Sequence, residues 1–243
     1  MNQARNKQHY WQASEYAEHF FGNERVFLEN GIRQVVGPST LQVGSRIQQD
    51  LVDELDLPFL LKTSKEYNPA CDLAADPAFL PFAPDSFATV LLPHVLEGHG
   101  LPHQVLREAH RVLMSDGHIV VTGFNPFSFA SLQRFVYHRA ALPGRYYSHK
   151  RVVDWLQLLG FEVVASAMFQ YSPLSKSQRF QRVYQLLESI GDRWLPMFGA
   201  GYMIAAKKRD AGMTLVGRMR FKAPKTKIAT SPSAQARVKN LKK

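Results

Sequence analysis

Apolar positions along this chain fall into two rhythms. Residues 87–92 (FATVLL) and 118–124 (HIVVTGF) are nearly continuous apolar runs, as strands buried on both faces require. Between them Val105, Ala109, Val112 and Leu113 share one helical stripe, with Arg107, Glu108 and Arg111 outside it. Strand, helix and strand at this spacing predict a βαβ unit with parallel strands and a right-handed crossover.

The same two rhythms recur on both sides of that unit. Residues 13–29 predict a helix with Tyr16, Phe20, Phe27 and Leu28 on its apolar side and a break at Gly22. A short strand over 40–43 ends at Gly44. A helix over 45–55 follows, with Ser45 as its N-cap and Ile47, Leu51, Val52 and Leu55 at helical spacing. Residues 57–62 and, more weakly, 70–75 read as strands. Downstream, Ser148 caps a helix that Gly160 ends, 161–169 is a strand, 177–195 a helix and 201–207 a final strand. Repeated alternation of this kind predicts an α/β three-layer αβα sandwich around a mostly parallel sheet.

Charge divides the chain. The formal net charge is +10, yet residues 207–243 carry twelve Lys or Arg against one Asp. The body is therefore nearly neutral and the basicity belongs to a tail with two prolines and few large apolar groups, which reads as disordered. The divisions expected are an N-terminal helical lid over 1–37, a folded domain over 38–208 with a helical insertion over 168–198, and the basic tail over 209–243. Cys71 is the single cysteine and cannot form an intrachain disulfide, which suits a cytoplasmic protein. The polar start NQARNKQHYW lacks the apolar core of a signal peptide, and no run of about 18 apolar residues occurs, so no membrane span is expected.

In open α/β sheets, ligands bind outside the carboxyl ends of the strands, where strand order reverses. The residues after 43, 62, 75, 92 and 124 are the candidates. There the sequence holds Gly44, then DPAFLPFAPDSF from Asp76 to Phe87, then Leu92, Pro93 and His94, and finally Asn125. Further on come Leu106-Arg-Glu-Ala-His-Arg-Val-Leu113 and Asp116-Gly117. This combination resembles the class I S-adenosylmethionine-dependent methyltransferases, and most of all their type 11 branch. The helix ending Leu-Leu-Gly-Phe at Phe161 is similar as well. The resemblance spans roughly residues 38–207 and is densest over 76–123.

The resemblance implies a Rossmann-like seven-stranded sheet, mostly parallel with its last strand antiparallel, and S-adenosylmethionine as cofactor. It places Asp76, Pro77, Phe79 and Leu80 against the adenine, Gly44 at the turn after the first strand, and Leu92 and Pro93 beside the transferred group. The bland alternative is that Asp76 caps a turn before Pro77 while Leu80, Pro81 and Phe82 pack. The sequence departs from the family at two points. Gln42, Arg46 and Gln48 stand where an acidic residue and two further glycines are usual, and Lys62-Thr63-Ser64 stands where a carboxylate usually binds the ribose hydroxyls.

Methyl transfer needs an acceptor held in line with the methyl group, and a base only if the acceptor carries a proton to lose. His94 is the candidate base, with Glu97, Asn125 and Tyr10 as candidate substrate contacts. His99 and His103 read as surface turn residues. The spacing of His94, Glu97, His99 and His103 matches no compact zinc pattern, so no metal is expected. A small molecule is the expected acceptor, and the basic tail admits a nucleic acid through phosphate contacts. A catalytically silent methyltransferase fold, serving as a binding or regulatory module, is the rival reading.

Overall fold

A computed structural model of the chain describes residues 15–33, 35–44, 57–65, 69–128, 145–170 and 199–209. A long helix comes first, α1 (Glu15–Ile32), then three parallel strands, β1 (Thr40–Gly44), β2 (Leu60–Ser64) and the two-residue β3 (Leu73–Ala74). β4 (Phe87–Pro93), the short α2 (Val95–Gly98), α3 (Pro102–Val112) and β5 (Leu113–Phe124) form the βαβ unit expected from the sequence. α4 (His149–Leu158), β6 (Phe161–Phe169) and β7 (Gly201–Lys208) complete the described elements.

Among the described residues the strands form one seven-stranded sheet in the order β3-β2-β1-β4-β5-β7-β6. β1 to β5 pair parallel with one another, and β7 alone is reversed, antiparallel to both β5 and β6. Strand order reverses between β1 and β4, so their carboxyl ends open the crevice where such sheets take ligands.

Neighbouring residues on a strand face opposite sides of a sheet. Leu92 thus joins Leu41, Val43, Leu106, Val112 and Leu156 on the α3 and α4 face. Leu91 faces the other way, under Leu28 and Ile32 of α1, with Val120, Met203 and Ala205. α1 is therefore a layer of the sandwich. Each of its buried aliphatic side chains stabilises the packing by about 1.5–3 kcal/mol.

Four boundaries differ from the sequence expectation. α1 passes through Gly22 without a break, because that position faces open space where a glycine is tolerated. β2 starts three residues later than predicted and extends to Ser64, while β3 shrinks to Leu73–Ala74. β5 starts at Leu113, directly from α3, because a register shift opposite Phe87 and Thr89 absorbs the turn at Asp116, whose φ is 62°. Gly117 permits that shift. A Cβ there would lie 2.9 Å from the Ala88 carbonyl oxygen of the adjoining strand.

Ser148 occupies the N-cap of α4 with extended backbone but makes no capping bond, and Gly160, at φ +87°, ends the helix as predicted. The helices expected over 45–55 and 177–195, nearly all of the 168–198 insertion, and the tail beyond residue 209 lie outside the described residues.

Candidate functional site

His94 follows β4 at the crevice and is the N-cap of α2, with a left-handed backbone at φ 51° and ψ 20°. Such a conformation is costly outside glycine and clusters at functional sites. It directs the ring into the protein, where His94 is buried. Nδ1 lies 2.9 Å from Glu97 Oε2, and Nε2 lies 3.2 Å from Glu24 Oε2 on α1. Phe124 sits 4.1 Å from the ring centroid, with Phe20 at 6.0 Å and Phe21 at 6.2 Å.

Burial by itself pushes the His94 imidazole down. The carboxylates of Glu24 and Glu97 outweigh this and raise it to about 10. His94 is accordingly an imidazolium, with one N–H donated to each carboxylate. Burial also raises Glu97, with His94 offsetting only part of the effect. An imidazolium in this state has no lone pair for a substrate proton. What the cluster offers is a fixed cation between two buried carboxylates.

Glu97 is held on two further sides. Its Oε1 accepts the Phe124 backbone N–H, and its carbonyl accepts the Arg145 N–H at 3.0 Å. A Cβ on Gly123 would lie 2.4 Å from Tyr202 Oη and 3.0 Å from Glu97 Oε1, so only glycine leaves room for both. Tyr202 is raised well above its usual value, by burial first and then by Glu97.

Asp76 stands two residues past β3, half-exposed. Its Oδ1 accepts the Ala78 N–H at 2.9 Å and meets His99 Nε2 at 2.9 Å, while Lys65 Nζ lies 3.4 Å from Oδ2. The Ala78 bond is the main cause of its lowered pKa. Because His99 Nδ1 accepts the Leu101 N–H at 3.1 Å, the network assigns the donor proton to Nε2 in the neutral ring. This bond ties the loop after β3 to the loop after α2.

Pro77 and Leu80 are buried, and Phe79 is 67 % exposed. The Leu80 N–H is donated to Glu108 at 3.2 Å, and its carbonyl accepts from Arg111 Nη2 at 3.0 Å. Arg111 also donates to the Phe82 carbonyl at 2.8 Å and pairs with Glu108 at 2.8 Å. The Leu-Pro-Phe segment and the Arg-Glu-Ala-His-Arg helix, two separate parts of the sequence resemblance, are thus one hydrogen-bonded unit. That is a physical reason for them to occur together.

Leu92 and Pro93 are buried under the crevice. Gly44 ends β1, and a Cβ there would meet its nearest neighbours, Gln42 Nε2 and Thr63 O, at an ordinary 3.8 Å. Thr63 and Ser64 are buried on β2, and the Lys62 N–H is donated to Asp72 at 2.7 Å. No carboxylate lies among residues 60–65. Asn125 is buried, donating to the Gly199 carbonyl at 3.0 Å and accepting the Phe127 N–H at 3.2 Å, so its amide fastens the end of β5 to the approach to β7. Tyr10 lies outside the described residues.

For the cofactor implied by this fold, the residues fit at the adenine end. The Asp76 side chain is 37% exposed, the Phe79 ring is exposed, and β1 ends on Gly44. Glu24 is the residue that sequence reading missed. Its signal is the i, i+4 series Phe20, Glu24, Leu28, Ile32, in which one acid occupies an apolar stripe.

Residues 54–121 match the type 11 methyltransferase family, described as a methyltransferase domain. Over those residues the chain is similar to that family. The sheet order with β7 reversed is the methyltransferase arrangement expected from the sequence. The uncharacterized protein YafS of Escherichia coli (strain K12) is 37% identical over 167 residues, 67% of this chain. That match spans 66% of the relative, a little under two thirds of its length.

Two solved methyltransferases share the fold. A SAM-dependent methyltransferase from Archaeoglobus fulgidus superposes with a TM-score of 0.54 at 17% identity, over 80% of this chain and all of that one. The Burkholderia thailandensis 1,6-didemethyltoxoflavin-N1-methyltransferase, with its substrate and S-adenosylhomocysteine bound, gives 0.50 at 14% identity, over 76% of each chain. At these identities the likeness establishes the fold alone. Among the described residues no helix is long and apolar enough to cross a membrane.

Proposed function

We propose that this chain is a methyltransferase that transfers a methyl group from S-adenosylmethionine to a small-molecule acceptor at the carboxyl end of β1 and β4, in the cytoplasm. The observation that carries this reading is the Asp76 turn. Its carboxylate stays accessible beside exposed Phe79, while Leu80 is pinned to α3 through Glu108 and Arg111. In this reading Asp76 accepts from the adenine amine, Phe79 covers the base, and Gly44 lets the backbone approach the cofactor. Leu92 and Pro93 form the floor beside the reacting end.

When bound, the cofactor supplies an electrophilic methyl group on a sulfonium. The protein's part is to align the acceptor and keep water away. His94 serves as a fixed cation that sets the shape of that end. Glu97, whose buried carboxylate holds a proton more readily than usual, is the group suited to take a proton from the acceptor. Asn125 shapes the rim through Gly199 and Phe127.

A second reading has its own observation. With Gln42 on β1 and no acid among residues 60–65, the ribose lacks its usual partner there. A charged hydrogen bond of that kind contributes about 1.5–3 kcal/mol. A fold that had lost the cofactor would serve as a binding module. Hydrogen exchange with and without S-adenosylhomocysteine separates the two. Added ligand should slow exchange in peptides covering 76–80 and 92–97, and unchanged exchange in both would favour the module.

A further inference from the structure

Glu24 is fully buried, and among the described residues only one of its oxygens accepts a hydrogen bond. Oε2 takes the His94 Nε2 proton. Oε1 lies 3.1 Å from the same nitrogen, which has no second proton to give, and no other donor among the described residues reaches it. The other ring nitrogen is already committed to Glu97. Two carboxylates therefore share one imidazolium, all three groups buried, with Phe20, Phe21 and Phe124 against the His94 ring. A buried charge of this kind calls for a partner.

A second unmet group lies close by. Thr122 Oγ1 on β5 is buried with no hydrogen-bond partner among the described residues, and Thr122 pairs in register with Pro93, the residue before His94. Thr122 and Pro93 also line a small cavity under Leu28, one turn along α1 from Glu24. The unsatisfied atoms thus gather where β4 and β5 end beneath α1, at the ligand-binding edge of the sheet.

We propose that Glu24 is the counter-charge for a positive group at the methyl-transfer end of the cofactor site, and so distinguishes the sulfonium of S-adenosylmethionine from the neutral thioether of the product. This rests on the cofactor reading above. The surplus carboxylate attracts the cation while the methyl group is still on sulfur. After transfer the sulfur is neutral, that attraction is gone, and the product leaves more readily.

Three ligands that differ at this one position test the idea by isothermal titration on the full chain. S-Adenosylmethionine carries a sulfonium, sinefungin an ammonium in its place, and S-adenosylhomocysteine no charge there. The two cations should bind about tenfold more tightly than the thioether, a difference of about 1.4 kcal/mol. Glu24→Gln should bring the three affinities to within about twofold of one another.

Equal binding of all three to the wild type overturns the inference and leaves the cofactor reading standing. So does a preference that survives Glu24→Gln. Binding of none of the three overturns both readings. Should Glu24→Gln fail to melt cooperatively, the wild-type ratio decides alone, and a preference for S-adenosylhomocysteine overturns the inference.

Discussion

Glu24 and His94 are 70 positions apart in sequence and meet at 3.1 to 3.2 Å, both buried. This contact fastens α1 to the end of β4 and fixes the charge state of the ring. Because the pair is buried, removing one member matters more than at the surface. His94→Gln leaves two carboxylates without their cation, and breaking such a pair costs about 3–5 kcal/mol. Chemical denaturation should show a drop of that size, whereas a loss below about 1 kcal/mol would contradict a buried ion pair here.

The same cluster sets a pH dependence. His94 is raised from 6.5 to about 10, so its contribution to stability is complete below 6.5 and disappears as pH rises through about 10. Glu97 is also raised, so the native state holds its proton above 4.5, and this adds a loss of the same sign with rising pH. The urea midpoint should fall steadily from about pH 7 to about pH 10, and His94→Gln should flatten that fall. A wild-type midpoint that stays level across this range would contradict the buried imidazolium.

Gly123 is the narrowest point around Glu97. Gly123→Ala places a methyl group 2.4 Å from Tyr202 Oη, and overpacking of this kind costs about 1–3 kcal/mol. Thermal melting should record the loss, and Tyr202→Phe in the same chain should recover part of it. Failure of the double variant to recover would place the strain elsewhere.

Asp76 combines a turn with a candidate ligand contact. Asp76→Asn keeps an oxygen for the Ala78 N–H but removes the charge, so stability should change by less than about 1 kcal/mol. Affinity for S-adenosylhomocysteine should fall about tenfold, as loss of a charge-assisted bond predicts. Unchanged affinity by titration would reduce Asp76 to its turn role.

The central unit was legible because its strands are buried on both faces, which leaves the apolar runs 87–92 and 118–124 plain in the sequence. Edge elements were not. Residues 70–75 yield only Leu73–Ala74 as strand, since an edge strand has one neighbour and its exposed positions carry no hydrophobic rhythm. The start of β5 was obscured by Asp116-Gly117, which reads as a turn between elements yet lies inside a strand as a register shift. His94 and Glu97 could be found from their place after β4, but their pairing could not. It depends on Glu24, which comes from a helix far away in sequence and which periodicity alone would count as one interruption of an apolar stripe.

In the function proposed above, the chain keeps a working cofactor site despite Gln42 and the absence of an acid among residues 60–65. Isothermal titration of the full chain with S-adenosylhomocysteine tests it most directly. The prediction is saturable binding of one ligand per chain with a dissociation constant in the range of about 1 µM to 1 mM, or about −8.2 to −4.1 kcal/mol. No heat of binding at ligand concentrations near 1 mM would contradict it, since that places any affinity weaker than about −4.1 kcal/mol.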